Sequence, residues 1–105
     1  MTYSEFEAVV ASVLPDATFH LSAPDSLERY VIWMETGSQS AFADDEPYVT
    51  CLMASVYIYT QIEGDKLLEQ MVNALEAADI VVDGPIPAYD DDQLTMGWVL
   101  ECEVL

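Results

Sequence analysis

The chain has 105 residues, of which 52% are hydrophobic, and it sets twenty acidic side chains against two basic ones, for a formal net charge of −18. A mean hydropathy of +0.20 excludes a disordered acidic tail, so the acids clothe a folded core. The charge excludes a surface that clings to nucleic-acid phosphates or to anionic membrane, and one domain over residues 1–105 is expected at this length.

Residues 2–14 read as a helix. Thr2 caps it and Glu5, three residues on, completes a capping box. Phe6, Val9, Val10, Val13 and Leu14 form one apolar stripe, and Pro15 ends it because the residue before a proline resists helical dihedrals. Residues 18–22 are a short strand candidate, followed by the turn cluster 23–26. Residues 29–36 are a strand, rich in β-branched and aromatic side chains: Tyr30, Val31, Ile32 and Trp33. Residues 37–47 read as a polar connection carrying Phe42, Asp44, Asp45 and Glu46. Residues 48–61 give the longest strand signal, and neither of its faces is polar. Such a strand is covered on both sides, or by helices on one side and a partner chain on the other.

Gly64 and Asp65 open a second helix with Asp65 as its cap, and Leu67, Leu68, Met71, Val72 and Leu75 make its stripe. Residues 80–82 start a strand, Asp83-Gly84-Pro85 reads as a turn, and residues 87–92 are extended or looped. In residues 95–105, Met96, Trp98, Leu100, Cys102 and Val104 alternate with a face that Glu101 and Glu103 mark as outward.

The order is α-β-β-β-α-β-β. The expected class is α+β: an antiparallel sheet of four or five strands with two helices packed on one face. Cys51 and Cys102 lie in apolar segments without C-x-x-C spacing, which fits free thiols in a reducing compartment; a cross-sheet disulfide is the alternative. No basic, then apolar, leader opens the chain. No apolar run reaches the roughly 18 residues a membrane span needs.

Signals of catalysis are weak. His20 is the one histidine, and with twenty acids about it any His–carboxylate pairing is uninformative. There is no glycine-rich phosphate loop. Asp90, Asp91 and Asp92 are the best cation candidate, but the spacing of a calcium loop is absent and a solvated acidic turn is the simpler reading. No catalytic, cofactor or metal residue is therefore assigned.

Four features combine in one order. After the first helix comes a Y-V-I-W strand (30–33), and an F-A-D-D segment (42–45) precedes a strand ending V-Y-I-Y-T (56–60). A helix K-L-L-E-Q-M-V-N-A-L-E (66–76) follows, and the chain closes W-V-L-E-C-E-V-L (98–105). Over nearly its whole length this resembles the small tail-completion or tail-terminator proteins of long-tailed phages and prophages. The resemblance implies a homo-oligomeric ring, commonly a hexamer, that caps the tail tube, halts its polymerisation and presents a surface to the head connector. It implies no cofactor and no catalysis, with assembly in the bacterial host cytoplasm and a final place in the virion tail. DNA would pass such a ring without being bound, since carboxylates repel phosphates. The loops carrying Phe42, Asp44, Asp45 and Glu46, and Asp90, Asp91 and Asp92, are the candidates to face that lumen or to dock a neighbour. An acidic DNA mimic that blocks a nucleic-acid-binding enzyme is the alternative, and a small metal-dependent enzyme using Asp90–Asp92 the third.

Overall fold

The computed structural model describes the backbone of residues 1–43 and 46–104, and the side chains of residues 1–37 and 52–104. The first helix, α1 (Tyr3–Val13), starts as expected: the Thr2 hydroxyl accepts from the Glu5 amide at 3.2 Å, and the Glu5 carboxylate accepts from the Thr2 amide at 3.1 Å. A 3₁₀ turn (Pro15–Ala17) leads into β1 (Thr18–His20). Then come β2 (Arg29–Ala43), β3 (Glu46–Thr60), α2 (Leu67–Ala77), β4 (Val81–Asp90) and β5 (Thr95–Val104). The fold is α+β, with the five strands in one sheet ordered β1-β2-β3-β5-β4. No helix among the described residues is long and apolar enough to cross a membrane.

The sheet is mixed rather than purely antiparallel, because β1 runs parallel to β2, Thr18 opposite Val31 and His20 opposite Trp33. A parallel link ordinarily needs a dozen or more residues. Here β1 is so short that the chain must return only from the level of Trp33 to Arg29, about 13 Å at strand rise. The connecting residues 21–28 span that distance with slack, and they lie on the sheet face opposite the helices.

Three further expectations are corrected. Residues 37–43 are strand, not a polar connection: β2 continues to Ala43 and pairs with β3 as far as Ala43 opposite Glu46. Low β propensity in that stretch is overridden by antiparallel pairing to the strongest strand in the chain. Asp83-Gly84-Pro85 is not a turn but an irregularity inside β4, where the register with β5 shifts between Asp83 and Ile86. Asp65 is not the formal cap of α2, whose N-cap is Lys66. Its carboxylate nevertheless accepts from the Leu67 amide at 3.0 Å, from the Thr60 hydroxyl at 2.7 Å and from Arg29 at 3.2 Å, so it ties the helix start to the ends of β2 and β3.

The main core lies between the helices and one sheet face. Phe6 and Val10 of α1 and Leu67, Met71 and Leu75 of α2 pack on Val31, Trp33, Ala54, Val56, Ile58, Leu100, Cys102 and Val104. Cys102 is a free thiol there, and burial pushes it up to about 12. The Cys51 side chain lies outside the described residues.

A second cluster forms on the opposite face around Tyr30, Tyr59 and Ala17, with Phe19, Ala23, Leu27, Ile32, Tyr57 and Ala88 against it. The change of cover is written along β5. Leu100, Cys102 and Val104 are buried on the helix side, whereas Thr95, Gly97 and Val99 are buried on the other. Met96 and Trp98 were expected to share the core face with Leu100. They do share its orientation, but the helices stop short of them, and they are 62% and 38% exposed.

Beyond the last β3–β5 pair, Leu52 with Val104, five register pairs of β2 and β3 run on alone from Gln39–Cys51 to Ala43–Glu46. They make a two-stranded arm about 17 Å long at strand rise, in a molecule whose longest dimension is 51 Å. At the arm's base the register shifts between Glu35 and Gly37. There the Tyr3 hydroxyl sits 2.7 Å from the Gly37 carbonyl and 2.8 Å from the Met53 carbonyl, so α1 pins the place where the arm departs.

Candidate functional site

Strand register puts Tyr30, Tyr59, Gly97 and Ala88 in one row across four strands, on the face away from the helices. A bulky residue at position 97 would block this row. A Cβ there would lie 2.2 Å from the Ile58 carbonyl oxygen and 2.6 Å from the Tyr59 ring, so only glycine lets Tyr59 lie flat over β5. Tyr59 in turn stacks on Tyr30 at 5.1 Å and lies nearly parallel to Tyr57 at 6.3 Å.

Tyr30 is fully buried, and its hydroxyl donates to Asp90 Oδ2 at 2.5 Å. The other oxygen of Asp90 accepts the Asp92 amide at 3.0 Å and the Gln93 amide at 3.2 Å, which folds the β4–β5 turn back over the sheet. The hydrogen bond from Tyr30, aided by those amides, holds the Asp90 carboxyl below its usual range. Burial, then the hydrogen bond to Asp90 and its charge, push the Tyr30 phenol far above its usual range; burial and the Asp90 charge shift Tyr59 upward. Gln93 completes the clamp. Its amide nitrogen donates to the Pro24 carbonyl at 3.1 Å and its oxygen accepts from the Leu27 amide at 3.4 Å, so the turn holds the 21–28 segment.

These elements enclose a trough of about 370 Å³. Its floor is Ile32 and Met34 of β2 with Tyr57 and Tyr59 of β3. One wall is Leu21, Ser22, Ala23 and Asp25, and the other is the turn from Tyr89 to Gln93. A second hollow of about 290 Å³ adjoins it and shares Asp25, Asp92 and Gln93.

Among the described residues, the two segments singled out by sequence lie far apart along the sheet. Phe42 and Glu46, expected in a loop, are strand residues at the end of the arm, and Asp44 and Asp45 lie outside the described residues. Asp90 stands level with the start of β2, roughly 40 Å along the strands from the arm's tip by strand rise. Asp90 is the last residue of β4 rather than a loop residue, and both its oxygens are engaged; Asp91 and Asp92 are exposed in the turn. Among the described residues no three His, Cys, Asp or Glu side chains converge in a metal-holding arrangement. His20, on the sheet's edge, stacks on Trp33 at 4.3 Å and pairs with Glu35, whose carboxyl the contact holds low.

The trough's floor was not marked as a site in the sequence. Its one signal was the alternation of Tyr57 and Tyr59 on a strand whose other face is equally apolar, which reads first as packing. Compared with known protein families and with curated protein sequences, the chain matches none.

Proposed function

We propose that the protein is a structural component of a phage or prophage tail, a terminator or completion protein that assembles as a ring on the tail tube and joins it to the head connector. The observation that carries the reading is the β2–β3 arm. Its outer edges have no strand partner among the described residues, and such edges are templates for pairing with another chain. The uncovered apolar residues Met96, Trp98 and Tyr89, side by side at the free end of the β4–β5 hairpin, offer a second assembling surface. The charge of −18 suits a channel through which DNA slides without binding.

Native mass spectrometry over rising concentration, alone and with tail-tube protein from the same genome, tests the reading. Closed rings, alone or on addition of the tube protein, are the expected result. A strict monomer that ignores the tube protein would overturn it. Salt-sensitive one-to-one binding to a basic nuclease or polymerase cleft would instead favour a DNA mimic.

A further inference from the structure

The trough joins two features that act on the same kind of group. Its floor is apolar and aromatic, with the Tyr57 and Tyr59 rings nearly parallel along β3. Its rim carries Asp25, Asp91 and Asp92, all exposed, beside the engaged Asp90. The chain has only two cationic side chains to answer its acids, and both are committed elsewhere: Arg29 to Asp65, and Lys66 to Glu69. Among the described residues, no ion pair neutralises the rim.

We propose that this trough is a receptor for an arginine side chain presented by an extended segment of a partner protein. The volume of about 370 Å³ lies at the small end of ligand pockets, which run from about 300 to 1,000 Å³, and suits one long side chain rather than a folded element. A guanidinium is planar, stacks on aromatic faces and is more weakly hydrated than an ammonium. Its fork of donors suits the carboxylates of Asp25, Asp91 and Asp92, while its methylene stem covers Ile32 and Met34. The floor is preorganised, because the Tyr30–Asp90 bond and the Gln93 clamp hold both walls before any partner arrives. The proposal does not depend on the tail reading; it concerns the chemistry of this face alone.

The test is an NMR titration of the labelled protein with a blocked Gly-Ser-Arg-Ser-Gly peptide, and with its lysine and citrulline counterparts. Expected are saturable amide shifts confined to residues 21–25, 32–34, 57–59 and 89–93. The lysine peptide should bind roughly threefold to tenfold more weakly, and the citrulline peptide should produce no saturable shift. The double change Asp91→Asn with Asp92→Asn should weaken the arginine peptide by about tenfold, an effect that shrinks with added salt. Both residues are exposed, so the variant keeps the fold, and its unliganded spectrum verifies this. Tyr57→Leu should weaken binding about fivefold while leaving the Asp rim in place. Shifts spread over the whole acidic surface would overturn the proposal. So would equal binding of arginine and citrulline peptides, or indifference to both variants.

Discussion

Replacing Tyr30 with phenylalanine removes one oxygen and leaves the ring that packs on Tyr59. The lost group is the donor, at 2.5 Å, to a carboxylate that ties β4 and its turn across the sheet to β2. A hydrogen bond to a charged group contributes about 1.5–3 kcal/mol, and Asp90 keeps two backbone donors, so a loss of about 2 kcal/mol is expected near neutral pH. For a domain of this size that lowers Tm by about 10 °C. The pH dependence carries the sharper signature. Asp90 is depressed in the fold, so its contribution is present above the unfolded carboxyl value, 3.8, and is lost as pH falls through the lower folded value. The gap between wild type and Tyr30→Phe should therefore narrow as pH drops below the unfolded value. Urea unfolding of both proteins across that range reads it directly. A gap under about 0.5 kcal/mol at neutral pH, or one that stays constant into acid, would refute the assignment of Tyr30 as the donor that holds Asp90 ionised.

Gly97→Ala should cost about 3 kcal/mol, since its Cβ meets the Ile58 carbonyl oxygen at 2.2 Å; urea unfolding checks this, and a near-neutral result would mean that β3 and β5 do not approach at Gly97 as closely as described. Tyr3→Phe should cost about 1 kcal/mol and speed amide exchange at the base of the β2–β3 arm more than in β5, because the hydroxyl near Gly37 and Met53 joins α1 to the arm. The net charge of −18 predicts that Tm rises from low to moderate salt as self-repulsion is screened; a flat response in a thermal melt would count against a surface dominated by like charge.

Periodicity made both helices legible, because each carries one apolar stripe on a single core. The same logic found the strands that β2, β3 and β5 contribute beneath those helices. It failed where a residue's place depends on a partner far along the chain. The stretch from Gly37 to Ala43 is polar and poor in β formers, and only its register against β3 makes it strand. Met96 and Trp98 alternate correctly with Leu100, yet alternation cannot tell where a helix ends above a sheet, so their exposure was invisible. The parallel run of β1 is possible only because it has three residues, which no propensity records. At the trough, Asp90, Asp91 and Asp92 stood out by charge alone. Their meaning came from Tyr30, sixty residues earlier, and from a glycine that lets Tyr59 lie across a neighbouring strand.

The proposed tail role requires this acidic domain to assemble through its sheet edges and uncovered apolar surface and so to close a tube. Negative-stain electron microscopy of tubes grown from the tail-tube protein of the same genome, with and without this chain, decides it. The expected tubes stop growing and carry a ring of extra density at one end only. Tubes that elongate unchanged, with bare ends at saturating concentrations of this chain, would refute that role.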